Sequence, residues 1–377
     1  MIYLATWTMQ VGAAWLMTIY DPSPLMVGLV QTALALPFFL FSLPAGMITD
    51  RMDRRRMLLM LQAFNLSTSL VLVVMLVTGT LGPWSLLALT FLYGTGLAMG
   101  IPASQAVMAD VVPLRDLPLA ITLNSISFNA GRSVGPAIAG LVFSLAQPVF
   151  LFVGNAAAYA VALMAFRRLP PTTKRNAPEP FWRGVLLTFT YSAGSPVLRV
   201  LMLRGFMFMA CASALWALLP LIVSKEAGGG AGTFGLLIGC LGAGAVLGGA
   251  ILPRLRRRYS NEGLAVRATL AYAVAMLATA VVGQAWMLYV ALLVGGVGWL
   301  LFNTLVFALV QMSVPATLRG RCIALYLVVL QGGMATGGAI WGVVAQKLAL
   351  NGALLIATAL IVFSCLLGLL FPIKNEE

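Results

Sequence analysis

The chain contains no histidine. That one absence excludes imidazole acid–base catalysis, histidine metal ligation and a histidine proton relay. Charge is scarce too: 9% of the residues are Asp, Glu, Lys or Arg, where a soluble domain carries about 25%. No carboxylate falls in the middle of an apolar run, and Asp21, Asp50 and Asp110 stand at run ends. The four cysteines, Cys211, Cys240, Cys322 and Cys365, lie singly in apolar stretches without CxxC spacing. They read as small core residues, not as disulfides or metal ligands. A phosphate-binding loop, a zinc pattern and paired catalytic carboxylates are all missing. ATP-driven transport and enzymatic catalysis therefore lack their residues, and no cofactor or metal is expected.

What the chain has instead is apolar length. Hydrophobic residues make up 61% of it, in runs at about 2–20, 25–48, 57–78, 84–109, 118–146, 148–166, 200–224, 231–252, 264–283, 286–314, 322–347 and 350–371. Each of the twelve is long enough for a helix to cross the bilayer core with its backbone groups satisfied internally. The first run lacks a basic leader and a small-residue cleavage site, so it reads as a membrane helix and not a signal peptide. It is barely long enough, as if the chain began partway into a longer helix.

The net charge of +13 follows the membrane, not nucleic acid. Of the 23 Lys and Arg, nineteen fall in the C-terminal tail or in and beside the loops after even-numbered runs; only Lys225 and Lys347 lie in opposite loops. This asymmetry places both termini in the cytoplasm. The longest connection, 167–199, opens with a polar, proline-rich stretch and divides the chain into halves at 1–166 and 200–377. Within it, Phe181–Tyr191 mixes aromatics with Arg183, as an amphipathic helix lying on the membrane surface would.

The halves repeat one another. Gly131, Gly135, Ala137, Ile138 and Gly140 recur as Gly333, Gly337, Ala339, Ile340 and Gly342 at an offset of 202, which Val112-Pro113 and Val314-Pro315 share. At 203, Gly46, Arg51, Arg54 and Arg55 recur as Gly249, Arg254, Arg257 and Arg258, with Pro253 where Asp50 would recur. The expected fold is an all-α polytopic membrane protein of twelve helices in two pseudo-symmetric six-helix bundles. Such repeats place a solute site between the halves, near the midplane.

Two stretches carry the candidate chemistry. In Gly46-x-x-x-Asp50-Arg51-x-x-Arg54-Arg55, Gly46 permits close helix contact, and Asp50 can accept from an arginine or a helix N-terminus. Asp110 ends the fourth run on the same side. The plain alternative is a topology anchor. The fifth run holds Gly131-x-x-x-Gly135-Pro136-x-x-x-Gly140, a small-residue face beside a bend, for which the glycine-rich eighth run is a plausible partner. Beside it, Arg132 is a charge inside an apolar run, which is costly and marks function by default. Ser125, Asn129 and Arg132 share one stripe that can bind an anionic or oxygen-rich solute; a structural arginine capping helix-end carbonyls is the alternative. Gln10, Gln31, Trp216, Asn303 and Gln331 are further cavity candidates, each also open to simple interhelical bonding.

The loop pattern at 46–55 resembles the signature of the major facilitator superfamily of secondary transporters. The phrases Ala13-Ala14-Trp15-Leu16, Asp21-Pro22-Ser23-Pro24 and Leu123-Asn124-Ser125-Ile126 look like the branch of enterobactin-type siderophore exporters and the transmembrane secretion effector group. The resemblance implies that Asp50 contacts the eleventh span, that Arg54 or Arg55 pairs with an acid such as Asp110, and that this cluster latches the cytoplasmic side. The motif around Pro136 is similar to that of exporters exchanging substrate for protons. Many such exporters carry an arginine in span four, but 89–108 has none, so that residue's proton role does not carry over. The function implied is proton-driven export of an amphipathic small molecule across a bacterial inner membrane, by a monomer. Import by the same fold, or a membrane scaffold without flux, stay open here.

Overall fold

The computed structural model describes residues 1–113, 115–170, 181–225, 229–281, 285–315 and 318–370. Twelve helices fill them in chain order: α1 Ile2–Tyr20, α2 Pro24–Arg51, α3 Arg54–Val77, α4 Pro83–Val111, α5 Leu117–Leu145, α6 Val149–Arg167, α7 Phe181–Gly194, α8 Pro196–Lys225, α9 Ala231–Arg258, α10 Asn261–Val281, α11 Ala285–Met312 and α12 Arg319–Leu370. Among the described residues, nine helices are long and apolar enough to cross a membrane. The helix α12, 52 residues long, is interrupted at Ala349 (φ 65°, ψ 165°) and supplies two spans, where the sequence suggests separate helices. The helices α1 and α5 fall outside the nine; polar side chains and the buried Arg132 dilute α5. With them and the two arms of α12, the bundle has its twelve crossings. The short α7 is helical from Phe181 to Gly194, past the end of the stretch Phe181–Tyr191 read as an amphipathic helix.

Local chemistry sets the helix ends. Ser23 caps α2 ahead of Pro24, and Asp53 caps α3 by accepting from the backbone N–H groups of Arg55 and Arg56 at 2.9 and 3.3 Å. Both use the ordinary N-cap geometry. The charged stretch 46–56 is therefore mostly helix, with only Met52 and Asp53 between α2 and α3. The half built from α1–α6 and the half built from α8–α12 each pack around a common apolar core. The duplicated glycines do the same work in both. A Cβ on Gly131 or Gly135 would press on Tyr3 or Trp7 of α1, and one on Gly333 or Gly337 would press on Phe206 or Ala210 of α8.

The later glycines of each repeat join the halves. A Cβ on Gly140 would lie 2.7 Å from the carbonyl oxygen of Ala231 in α9, and one on Gly342 would lie 2.9 Å from that of Pro24 in α2. Gly28 and Gly338 meet backbone to backbone beside the second crossing. Both crossings lie on the side away from the arginine-rich loops. There Lys225 also donates to the carbonyl oxygen of Pro22 at 2.8 Å, and Trp15 stacks on Phe234. Toward the arginine-rich face the crossings part: Gly242 is the last α9 glycine to press on α5, and a Cβ on Gly46 would meet nothing within 4 Å. Among the described residues, the close approach expected at Gly46 is absent. The described contacts close the bundle on the side away from the arginine-rich loops, while Leu119, Ile121, Leu123, Ile126 and Phe128 in the first half of α5 stay exposed.

Candidate functional site

Arg132 projects from α5 at the junction of the halves, where α5 lies between α1 and α9. A Cβ on Gly242 would sit 2.9 Å from the Cα of Ser133, so α9 covers this stretch of α5 backbone. Arg132 as a whole is 8% exposed. Its Cζ stands 5.7 Å from the Trp7 ring of α1 and 5.9 Å from the Trp299 ring of α11. Trp216 of α8 lies beside both indoles, with centroids 6.3 Å from Trp7 and 5.7 Å from Trp299. Phe208 and Tyr272 pack behind Trp299. One tryptophan from the first half and two from the second thus box the cation.

The electrostatics are lopsided. Among the described residues, neither Nε nor Nη2 of Arg132 has an acceptor, and the indole N–H of Trp7 and the hydroxyl of Ser133 are likewise buried without a partner. Carrying an arginine to the bilayer centre costs about 2.5–3.5 kcal/mol on insertion scales. Two cation–π contacts near the 6 Å limit recover part of that but leave the N–H donors unsatisfied. A cluster of donors around a fixed positive charge is built to receive an oxyanion or an oxygen-rich group.

The other sequence candidates divide. Gln10 donates to Gln31 at 3.5 Å, and both border a cavity of about 20 Å³ that Trp216, Phe234 and Ile238 close on the other side. That volume holds a water or two and no more. Asn129 donates to the Ser125 carbonyl oxygen at 2.8 Å, and Asn303 to that of Trp299 at 2.8 Å, so each amide bonds to its own helix. Ser125 is exposed and Gln331 half-buried. Of the expected stripe, Arg132 alone enters the box. Trp7 and Trp299 are the residues the sequence reading missed. The available signal was depth: tryptophan gathers at membrane interfaces, and these two lie well inside apolar runs.

At the arginine-rich end, Arg54 grips Asp110 through Nη1 at 2.7 and 2.9 Å. Arg55 donates to the carbonyl oxygens of Phe166 and Arg167 at the end of α6. The Arg54–Asp110 pair joins α3 to α4 within one half, so by itself it does not bridge the halves. The side chains of Asp50 and Arg51 lie outside the described residues. A pairing absent from the sequence reading is that of Arg204 with Glu262, bidentate at 2.6 and 2.9 Å, which ties α8 to α10.

Residues 2–377 match the transmembrane secretion effector family. The chain belongs to that family of major facilitator transporters. Among curated relatives, the staphyloferrin A transporter of Staphylococcus aureus (strain NCTC 8325 / PS 47) is 22% identical over 285 residues, covering 74% of this chain and 70% of the relative. The uncharacterized MFS-type transporter YfiS of Bacillus subtilis (strain 168) is 23% identical over 160 residues, 42% of this chain and 37% of the relative. Among solved structures, a bacterial homologue of the human lysosomal transporter Spinster, inward-facing and occupied, superposes with a TM-score of 0.79 at 12% identity, covering 98% of this chain and 93% of that one. An inward-facing bacterial homologue of the iron transporter ferroportin gives 0.72 at 16% identity, covering 98% and 97%. At these identities the superpositions establish the fold alone; the family match makes the chain a small-molecule transporter of the major facilitator type.

Proposed function

We propose that this family member is a bacterial inner-membrane exporter that uses the proton gradient to expel an amphipathic, siderophore-like molecule bearing anionic or oxygen-rich groups. The observation that carries the reading is Arg132, a buried cation with free donors at the seam of the two halves. The siderophore class is supported by the likeness to a staphyloferrin A transporter, and export by the glycine-proline motif around Pro136. In this reading the arginine-rich face is cytoplasmic, carries both termini, and lies opposite the closed side. The halves 1–166 and 200–377 rock about the site as a monomer, with 167–199 as the strap between them. Closing the cytoplasmic side brings α2 against α12, where Asp50 makes the latch that Arg54–Asp110 braces from behind. With no carboxylate in the box, protons travel on the boundary acids or on the substrate.

The test is flux in inverted membrane vesicles with an acidified interior, using a panel of siderophores that includes staphyloferrin A. The expected result is uptake that a protonophore abolishes and that Arg132→Gln and Asp50→Asn each lose. Uptake confined to right-side-out vesicles would make the protein an importer. No flux in either orientation would leave a scaffold.

A further inference from the structure

The turn from α9 to α10 concentrates cations: Arg254, Arg256, Arg257 and Arg258 end α9, and Arg267 follows in α10, all exposed. Among the described residues, the acid nearest in sequence, Glu262, is held by Arg204. Among the described residues, none of the five is ion-paired with a carboxylate. Tyr259 sits between two of them, with the Cζ of Arg267 3.9 Å from its ring centroid and that of Arg258 at 5.7 Å. Arg267 also donates through Nη1 to the carbonyl oxygen of Gly263 at 2.9 Å, which fixes its plane.

The repeat makes this arrangement informative. Arg54 and Arg55, the counterparts of Arg257 and Arg258, are satisfied inside the protein by Asp110 and by α6 carbonyls. The second copy keeps the arginines, places Pro253 where Asp50 would recur and, at the offset of 202, Met312 where Asp110 would recur, and leaves the cations at the end of α9 and the start of α10. Membrane orientation alone requires positive charge there, and lysine would serve. It does not require guanidinium planes set on an aromatic ring. Planar forks held this way match a phosphodiester, which accepts two parallel N–H bonds.

We propose that the α9–α10 turn binds the phosphate headgroup of an anionic phospholipid, through Arg257, Arg258 and the Tyr259-stacked Arg267, so that lipid supplies the anion the first half builds from Asp110. Purified protein would be titrated with phosphatidylglycerol, phosphatidylcholine or inorganic phosphate, with retained lipid read by native mass spectrometry and stability by thermal unfolding. Phosphatidylglycerol should bind and raise the unfolding temperature, whereas phosphatidylcholine and inorganic phosphate at equal concentration should not. Each arginine near an anionic surface contributes roughly a fivefold gain in affinity. Replacing all three with Gln should therefore weaken phosphatidylglycerol binding on the order of a hundredfold. Arg267→Lys, which keeps charge and topology, should still weaken it severalfold. Arg115→Gln, removing a surface arginine that faces Asp116 at 3.3 Å, should leave it unchanged. Equal binding of phosphatidylcholine, equal stabilisation by inorganic phosphate, or full retention in the triple variant would each overturn the assignment. So would Arg267→Lys behaving as wild type.

Discussion

The closed side of the bundle rests on backbone contacts that leave no room for a methyl group, and Gly235 tests this most sharply. A Cβ there would collide with the Pro136 carbonyl oxygen and lie 2.8 Å from the Cα of Gly140. Carbon atoms in ordinary contact stay about 3.5–4.0 Å apart, so Gly235→Ala must push α9 off α5 by roughly half an ångström or more. Overpacking of this kind costs about 1–3 kcal/mol. In the proposed cycle the strain exists only while this side is shut, because the crossing must part for it to open. The whole cost therefore falls on one of the two states and shifts their ratio by roughly 5- to 150-fold. Spin labels on cysteines at Leu145 and Gly230, exposed positions at the facing ends of α5 and α9, would report the distance in a variant lacking the native cysteines. The expected result is a longer-distance population in Gly235→Ala. Gly28→Ala should act alike at the other crossing, where its Cβ would sit 2.6 Å from the Gly338 carbonyl oxygen. Unchanged distances in both folded variants would refute the reasoning.

Arg204→Ala should lower stability by about 1–3 kcal/mol, the cost of removing a charge-assisted bidentate contact from a half-buried carboxylate; thermal unfolding in detergent measures it, and no measurable loss would contradict the burial of Arg204 at 4% exposure. Asp110→Asn removes an ion pair whose carboxylate is 34% exposed, so stability should change by about 1 kcal/mol or less. Its expected effect is on transport rate, through slack in the α3–α4 brace, and vesicle flux is the check.

Periodicity and repetition made much of this architecture readable before any coordinates. The offset of 202 paired Gly131 and Gly140 with Gly333 and Gly342, and those glycines occupy equivalent contacts in the two halves. What stayed hidden was contact across the halves. Trp7 and Trp299 lie far apart in sequence and flank one guanidinium only because α5 carries Arg132 to both. Asn129 and Asn303 were attractive as polar residues in apolar runs, yet their amides satisfy themselves one turn back, a choice that composition does not encode. The Arg204–Glu262 pair was missed for the same reason, since each residue alone reads as a boundary charge. The stretch at 46–56 looked like a loop because its charge density resembles one. Its backbone is nonetheless two helices with a two-residue turn, because Asp53 caps the second.

The central claim is that Arg132 holds the substrate's oxygen-rich group within a tryptophan box. Its most direct measurement is equilibrium binding of a siderophore that the vesicle assay identifies, read by quenching of tryptophan fluorescence in purified wild type, Arg132→Lys and Arg132→Gln. The account predicts about a tenfold weaker Kd for Lys, which keeps the charge but loses the fork, and at least a hundredfold weaker Kd for Gln. Equal affinity in all three, with quenching intact, would contradict it.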